Sequence, residues 1–307
     1  MNRALTARLA RTLASTHWGR HFFIAVPFLW LALFFLVPFL FVFKISLSEA
    51  LIARPPYAPV ASWTGDGTLT LSLSFFSYQF IVEDALYFVA YLRSLKIAAL
   101  STVLCLIIGY PMAYGLARAK GHAQAVLLTL VILPFWTSFL IRVYAWKVLL
   151  QGGGILNAAL MALGVIDRPL AILYSDWAVY LGIVYSYLPF MILPLYAQLA
   201  RLDFSLIEAA LDLGSRPWQA FLRITLPLSL PGVIAGAMLV FIPAIGEFVI
   251  PELLGGPESI MIGRTLWNEF FANRDWPMAS AVAVVILILL LIPIIAFQWA
   301  QARTREG

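Results

Sequence analysis

Hydrophobic residues in this chain gather into long runs that are separated by short polar segments. The runs span residues 22–43, 97–117, 125–146, 177–200, 226–250 and 278–297. Each is about 20 residues long, which is enough for a helix to cross the roughly 30 Å hydrocarbon core of a bilayer. None of them alternates with the two-residue period of an outer-membrane barrel strand. The pattern therefore predicts an all-α integral membrane protein with six transmembrane helices.

The first run is uncharged and longer than the apolar core of a cleavable signal peptide. We therefore interpret it as a retained first span that follows a short amino-terminal tail, residues 1–21. The remainder, residues 22–302, shows neither an internal repeat nor a low-complexity linker, and it is predicted to form a single transmembrane domain.

Two connections have a distinctive pattern. The first is a polar insert at 46–91, and its segment 68–74 alternates polar and apolar residues in the period of a short strand. The second begins with Gly152-Gly153-Gly154, which breaks the chain before an apolar stretch, 155–163, that is too short to cross a membrane. We expect the insert to form a small external cap and the apolar stretch to form an external helix.

Composition agrees with a bilayer as the solvent, since 63% of the residues are hydrophobic and only 11% are charged. The net charge of +5 is dispersed between the apolar runs, whereas a nucleic-acid surface needs clustered basic residues. Cys105 is the only cysteine, so an intrachain disulfide and a thiol metal cluster are both excluded.

The distribution of Lys and Arg predicts the orientation of the chain, because these residues favour the cytoplasmic side. The tails and the second-to-third and fourth-to-fifth connections hold eleven of the 20 basic residues and four of the 15 acidic ones. The other side holds the remaining nine bases and eleven acids. Both termini are therefore expected in the cytoplasm.

The sequence lacks the residues that several kinds of catalytic or cofactor site require. The three histidines, His17, His21 and His122, lie outside the predicted spans, which excludes an intramembrane histidine site for haem, metal or a catalytic dyad. No phosphate loop of the G-x-x-x-x-G-K-[S/T] type is present. We predict no catalytic residue, no metal site and no cofactor bound by this chain, and ATP-driven transport would need an ATPase on another chain.

The loop between the fourth and fifth spans, residues 201–225, carries clear helix signals. Ser205 and Glu208 have the spacing of a capping box, and Gly214 suits the left-handed position that ends a helix. Ser215 and Pro217 then suit the start of a second helix, which Pro227 and Pro231 are expected to end. Two short helices that meet at a tight corner are predicted. By itself this chemistry is equally consistent with a structural role for Glu208 and Gly214.

The spacing in this loop resembles a known motif. Glu208-Ala209-Ala210, Gly214, Ile224, Leu226 and Pro227 match the E-A-A-x3-G-x9-I-x-L-P loop of binding-protein-dependent ATP-binding cassette (ABC) importer permeases. The resemblance implies the type I ABC importer permease fold with cytoplasmic coupling helices. It also implies that the segment from Ser205 to Pro227 sits in a cleft of the ATPase subunit and transmits its movement to the spans.

The resemblance extends over most of the chain and indicates one particular group of these permeases. The stretches 107–111, 133–146, 241–256 and 273–277 look like the putrescine/spermidine uptake permeases, and more like the putrescine branch. This likeness implies a subunit of a polyamine importer in a bacterial inner membrane. It further implies a second, homologous permease, two copies of an ATPase that bind ATP and Mg, and a periplasmic polyamine-binding protein.

A polyamine needs carboxylates for its ammonium groups and aromatic faces or carbonyl groups in place of water. Glu247 and Glu252 lie near the outer end of the fifth span, in a stretch interrupted by proline and glycine. Carboxylates at membrane depth are functional candidates, and irregular backbone there is tolerated where it lines a cavity. Alternatively, Glu247 pairs with Arg142. The aromatic candidates, each of which also suits a membrane-interface anchor or the core, are Trp136, Tyr144, Trp146, Tyr185 and Tyr187.

Other functions remain open on the sequence. One alternative is that the same kind of permease transports spermidine or another small cation. A secondary transporter driven by an ion gradient is disfavoured because no repeat pair is visible and the loop motif stays unexplained. A membrane enzyme is disfavoured by the missing histidine and thiol sites, and a scaffold without transport is the remaining alternative.

Overall fold

The computed structural model of the chain describes residues 18–63 and 67–306. Within these residues the regular structure is helical except for one two-stranded sheet. Six segments of the described chain are long and apolar enough to cross a membrane: Ile24–Ser46, Ala85–Arg118, Phe139–Ala162, Asp176–Leu199, Pro217–Ile245 and Trp276–Ile295. The predicted number of spans is thereby confirmed. Most of the predicted amino-terminal tail, residues 1–17, lies outside the described residues.

The helices are numbered along the chain. They are α1 (Trp18–Leu31), α2 (Val37–Ser46), α3 (Phe76–Glu83), α4 (Ala85–Arg118), α5 (Gly121–Ile132), α6 (Phe139–Leu150), α7 (Ile155–Ala162), α8 (Asp176–Leu199), α9 (Ser205–Asp212), α10 (Pro217–Ala220), α11 (Leu226–Ile245), α12 (Val249–Leu254), α13 (Ile262–Trp267) and α14 (Trp276–Glu306). Turns of π-helix occupy Ala32–Leu36, Phe221–Thr225 and Asn268–Ala272, and a 3-10 turn occupies Leu133–Trp136.

The described chain forms two compact units. The first contains residues up to Tyr78 together with Asp275–Val284. Its sheet pairs β1 (Ala61–Trp63) antiparallel with β2 (Leu69–Leu71), so that the hydroxyls of Ser62 and Thr70 meet at 2.9 Å. The strand predicted from the alternating pattern is therefore present. The apolar side chains of the first spanning segment are exposed, as suits a helix in contact with lipid or with another subunit.

The second unit contains Gln79–Arg274 and the residues from Val285 onward. Its centre is the packing of α4, α8 and α11 against one another. Small residues bring α11 close to α8: a Cβ on Gly236 would lie 2.8 Å from the sulfur of Met191 and 3.0 Å from its carbonyl oxygen. Close approach at glycine is a common way for helices to associate in a membrane. The buried core between them comprises Cys105, Tyr110, Ala113, Leu116, Val131, Met191, Ile192, Leu195, Leu199 and Val240.

A pair of hydroxyl groups lies within this core. The hydroxyls of Tyr110 on α4 and Ser229 on α11 lie 2.7 Å apart, and the Ser229 hydroxyl also reaches the carbonyl of Leu226 at 3.0 Å. A buried hydroxyl in an apolar interior must find a partner, so this pair fixes the register of the two helices as well as joining them.

The predicted third span, 125–146, is not one continuous helix. Helix α5 ends at Ile132 and passes through the 3-10 turn, Thr137 is extended, and α6 begins at Phe139. The cause is Pro134 together with Thr137, whose hydroxyl donates to the Pro134 carbonyl at 2.9 Å instead of continuing the helix. The candidate spanning segment in this region is Phe139–Ala162, which is itself interrupted at residues 151–154 between α6 and α7. The stretch 155–163, predicted as an external helix, forms α7 and falls almost entirely within this segment.

The predicted insert, 46–91, is shorter than expected. Helix α3 begins at Phe76, and α4 begins at Ala85, well before the apolar run that marked the second span. The start of α4 is fixed by Asp84, whose carboxylate accepts the backbone N–H of Leu86 at 2.8 Å. The apolar pattern did not show this start because Arg93 and Lys96 lie within the helix.

Candidate functional site

The segment 203–218 forms the sharp corner that the sequence predicts. Helix α9 ends at Asp212, and Gly214 follows with a φ of +83°. The backbone N–H of Gly214 donates to the carbonyl of Leu211 at 2.9 Å, and that of Ser215 donates to the carbonyl of Ala210 at 3.0 Å. These bonds satisfy the carbonyls at the end of α9 and reverse the chain. A Cβ at Gly214 would meet no atom within 4 Å, so the positive φ alone favours glycine here.

The start of α9 differs from the prediction. The expected capping box of Ser205 and Glu208 is not formed. Instead the carboxylate of Asp203 accepts the backbone N–H of Ser205 at 3.0 Å. Hydrogen bonds from the Ser205 hydroxyl and backbone amide favour the charged form of the Asp203 carboxyl and hold its pKa below its usual value. Glu208 is exposed in the first turn of the helix, where a negative charge favours the helix dipole.

The second helix of the corner also departs from the prediction. Arg216, not Ser215, precedes it, and the side-chain oxygen of Gln219 accepts the Arg216 backbone N–H at 3.0 Å. Pro217 occupies the first turn as expected. Pro227 and Pro231 do not end this helix, because the π turn Phe221–Thr225 carries it directly into α11. Pro227 lacks an N–H, and its ring would clash with the preceding turn of a regular helix. The π turn accommodates it because its backbone hydrogen bonds span one more residue than those of an α-helix.

The predicted coupling residues therefore fall into two groups. Ser205, Glu208, Ala209, Ala210 and Gly214 lie on the projecting corner, whereas Ile224 lies in the π turn and Leu226 and Pro227 begin α11. One continuous helical segment joins the corner to the fifth span. The corner also exposes apolar side chains that the sequence reasoning did not select, namely Leu206, Leu211, Leu213 and Trp218, with Leu213 87% exposed. Apolar residues at these positions in a short polar loop are the sequence feature that could have identified them.

The beginning of α9 is attached to α4. The guanidinium carbon of Arg118, the last residue of α4, lies 5.7 Å from the ring centres of both Tyr114 and Phe204. Its Nη1 also donates to the Tyr114 hydroxyl at 3.1 Å, and the two rings meet edge to face at 6.2 Å. Phe204 directly precedes α9, so α9 has one connection to the second span and another, through Gly214, to the fifth.

Glu247, a predicted substrate residue, lies at the junction between α11 and α12. One of its carboxylate oxygens accepts the backbone N–H groups of Phe248, Val249 and Ile250 at 3.1, 2.9 and 3.3 Å. The other accepts the hydroxyl of Tyr187. The side chain is 7% exposed and its negative charge faces the amino terminus of α12, so it stabilises that helix start. A cation that binds here must compete with these donors.

The pair that the sequence offered as an alternative is not formed. Arg142 does not contact Glu247 through an ion pair, and its buried Nε and Nη1 atoms have no hydrogen-bond acceptor within the described chain. Its guanidinium carbon lies 5.9 Å from the ring centre of Phe139, one turn earlier in α6.

Glu252, the second predicted carboxylate, forms an ion pair with Arg264. The Arg264 Nε and a Glu252 oxygen are 2.6 Å apart, and the Glu252 side chain is 48% exposed. An exposed pair of this kind contributes roughly 0–1 kcal/mol to stability, so a second cation can exchange with the guanidinium at small cost.

The aromatic candidates are dispersed. Trp136 is 77% exposed on the 3-10 turn, and Tyr144 is exposed on α6. Tyr185 packs edge to face against Trp146 with 5.3 Å between ring centres. Of the predicted residues, the structure joins Glu247 to Tyr187 and Tyr185 to Trp146. Within the described chain no hydrogen bond, ion pair or ring contact links Trp136 or Tyr144 to either carboxylate.

The chain is similar in sequence to known transport proteins. Residues 105–305 match the family described as binding-protein-dependent transport system inner membrane component. The spermidine/putrescine transport system permease protein PotB of Haemophilus influenzae is 39% identical over 267 residues, which cover 85% of this chain and 86% of that protein. PotB of Escherichia coli is 42% identical over 220 residues, covering 72% of this chain and 80% of that protein.

The fold also matches solved structures. A chain of a bacterial ABC transporter involved in the import of alginate superposes with a TM-score of 0.66 at 17% identity. The superposition covers 96% of this chain and 99% of that one. At this identity the likeness concerns the fold alone. It confirms the type I importer permease fold with six spans.

Proposed function

This chain belongs to the family of binding-protein-dependent transport system inner membrane components, and on that premise we propose that it is a permease subunit of an ATP-driven polyamine importer. It is a multi-pass membrane protein. The observation that supports the proposal is the corner at 203–218 together with the segment that follows it, up to residue 227. It presents the E-A-A motif on a short projecting helix and continues without interruption into a spanning helix.

The corner is suited to bind a partner subunit and to pass its movement to the spanning helices. Ala209 on its outer surface leaves room for close approach, and the exposed Leu213 and Trp218 offer apolar area to a partner. The positive φ at Gly214 fixes the angle between α9 and the segment that leads into α11. A push on α9 by a moving ATPase therefore shifts α11, and the Arg118 contact transfers part of the same motion to α4.

Polyamines are the proposed substrate class because relatives at 39% and 42% identity are spermidine/putrescine permeases. We place putrescine first and spermidine second. In the proposed path, Glu252 exchanges Arg264 for an ammonium group, and Glu247 contributes negative potential while it caps α12. The exposed faces of Trp136, Tyr144 and Tyr185 are proposed to contact the cation by cation–π interaction.

The proposed complex contains a second homologous permease, two ATPase subunits that bind ATP and Mg, and a periplasmic polyamine-binding protein. In this arrangement the 203–227 corner and both termini face the cytoplasm of a bacterial cell, and the chain itself binds no nucleotide. The basic residues near the corner, Arg201, Arg216 and Arg223, support that orientation.

Competition in uptake tests the substrate class. The chain and its genomic neighbours are expressed in cells that lack their own polyamine importers, and uptake of radiolabelled putrescine is measured. We expect saturable uptake that unlabelled putrescine or spermidine abolishes and that an excess of an acidic sugar or molybdate leaves unchanged. Uptake that only a non-amine solute suppresses, or no putrescine uptake at normal expression, contradicts the proposal.

A further inference from the structure

A polar groove of about 650 Å³ lies in the second unit, between the beginning of α4 and the segment that contains α13 and the π turn after it. Its polar wall is formed by Arg264, Thr265, Asn268, Glu269 and Asn273. Leu86, Pro257 and Ile260 supply apolar surface.

Glu269 is held in the groove by neutral donors from two sides. The hydroxyl of Tyr87, on α4, donates to one carboxylate oxygen at 2.9 Å. The side-chain amide of Asn273 donates to the other oxygen at 2.9 Å. Tyr87 is only 3% exposed, so it holds Glu269 from the interior of the protein. Each carboxylate oxygen keeps a second acceptor position, because a carboxylate offers about four lone-pair sites.

Within the described residues, the two charged side chains of the wall, Arg264 and Glu269, form no ion pair with each other. Arg264 is paired with Glu252 through its Nε, and its Nη1 approaches the carbonyl oxygen of Gly256 at 3.4 Å. The guanidinium is thereby compensated by a carboxylate other than Glu269. The negative charge of Glu269 is supported by hydrogen bonds from Tyr87 and Asn273, neither of which is positively charged, and it is available to attract a cation.

The backbone beside Glu269 is irregular in two ways. Glu269 lies in the π turn Asn268–Ala272, which closes with the Asn273 N–H on the Asn268 carbonyl at 2.9 Å. Arg274 then has a φ of +55°, which is uncommon for a residue other than glycine. Both features are enriched at functional sites. Here they place the Asn273 side chain next to the carboxylate.

We propose that this groove binds a primary ammonium group of the transported polyamine, with Glu269 as the charged acceptor and the side-chain oxygens of Asn268 and Asn273 as neutral acceptors. This inference rests on the proposed function and adds a substrate contact to it. An ammonium group presents three N–H donors, which matches one carboxylate and two amide oxygens. The apolar wall, including Leu86 and Ile260, accommodates the methylene chain that follows. A divalent metal ion fits the groove less well, because Ca²⁺ usually takes six to eight oxygen ligands.

Direct binding to the assembled importer tests the site. The complete complex in nanodiscs is titrated with radiolabelled putrescine, and with spermidine, by equilibrium dialysis before the binding protein is added. We expect saturable binding to the wild type and an affinity about tenfold lower for Glu269→Gln, the change expected when a charged acceptor becomes neutral. Glu258→Gln is the matched control. It removes an exposed carboxylate from the same connection outside the groove and is expected to bind as the wild type does.

Three outcomes would contradict the proposed ammonium site. They are an unchanged affinity in Glu269→Gln, an equal loss of affinity in Glu258→Gln, and the absence of saturable binding to a wild type that imports polyamine. If Glu269→Gln weakens only the affinity for the binding protein, the groove is a protein contact instead. Should Glu269→Gln fail to assemble, the exposed Asn268→Ala is measured, and unchanged affinity again contradicts the proposal. Failure of the proposed function differs from all of these, since the wild type would then not import polyamine at all.

Discussion

At the scale of single residues, the two carboxylates near the outer end of the fifth span play different structural parts. Glu247 is buried and accepts three backbone N–H groups at the start of α12, whereas Glu252 is exposed and pairs with Arg264. Both looked alike in the sequence, as acids within an apolar stretch. The backbone reversal after Ile245, which aims three N–H groups at one carboxylate, depends on tertiary packing and leaves no pattern in the sequence.

The structure predicts a stability effect for Glu247. Glu247→Ala removes the acceptor of three amides and of the Tyr187 hydroxyl, and we expect a loss of about 1–3 kcal/mol, because buried donors are left without partners. Glu247→Gln keeps one oxygen and should lose less. Thermal unfolding of the purified complex measures both changes, with Glu258→Gln as an exposed control. Equal midpoints for Glu247→Ala and the control contradict the capping role.

The ion pair of Glu252 gives a second prediction. If Glu252 exchanges Arg264 for a substrate ammonium, Glu252→Gln lowers uptake at a fixed subsaturating putrescine concentration, and Arg264→Gln raises it by freeing the carboxylate. The expected changes are a few-fold, since an exposed pair is worth roughly 0–1 kcal/mol. Initial uptake rates at equal expression measure them. Unchanged rates in both variants would remove Glu252 from the proposed path.

At the scale of elements, the positive φ at Gly214 makes this residue the sharpest test of the corner. The site has room for a Cβ, so substitution acts through the backbone alone. Gly214→Val is expected to strain the corner by about 1–3 kcal/mol, whereas Gly214→Asn should be tolerated because asparagine adopts positive φ more readily. We expect the Val variant to insert normally and to lose either the ATPase subunit or its stimulation by the loaded binding protein.

Co-purification and ATP hydrolysis measure that effect, with the Asn variant as the matched control. Normal uptake by Gly214→Val at normal expression would count against a coupling role for the corner. Glu208→Ala serves as a second comparison. Because the Asp203 carboxylate accepts the Ser205 N–H and Glu208 forms no capping box, Glu208→Ala is expected to change the helix start by only the small dipole contribution of one exposed charge, and a larger defect would indicate a contact with the ATPase.

The contact between α8 and α11 gives the fourth prediction. Gly236→Val forces side-chain atoms against the backbone of Met191 and should destabilise the second unit by about 1–3 kcal/mol through overpacking. Gly115→Ala, on α4, is the control, since its Cβ meets no atom within 4 Å. Thermal unfolding of the purified protein is the measurement. A Gly236→Val protein as stable as the control would show that the two helices separate more easily than the structure indicates.

Elements that depend on local pattern were predictable. The number of spans, the short strand and the helix after the glycine run all follow from hydrophobic period and breaker residues. The third span was misplaced because apolar residues continue through Pro134 and Thr137, so hydropathy did not mark the break. The continuation of α10 into α11 was missed because proline usually ends a helix, whereas here a π turn accommodates it.

At the scale of the whole molecule, the family and the fold were accessible from the sequence, but the groove beside Glu269 was not. The E-A-A spacing lies within one loop, so a linear motif reveals it. Glu269 in the groove accepts a hydrogen bond from Tyr87, 182 positions earlier in the chain, and only the folded structure brings such residues together. The described chain also leaves long apolar faces exposed, which agrees with a subunit that is complete only in a bilayer and beside partners.

Reconstitution of the importer tests whether this chain is a permease subunit that works with an ATPase. The chain, the second permease and the ATPase pair are placed in liposomes with ATP on the ATPase side, and the polyamine-binding protein with radiolabelled putrescine is added on the other side, without an ion gradient. We expect putrescine accumulation together with stimulated ATP hydrolysis, and neither activity when this chain, or the ATPase, is left out. Accumulation by this chain alone, or accumulation that needs an ion gradient and no ATP, would contradict this expectation.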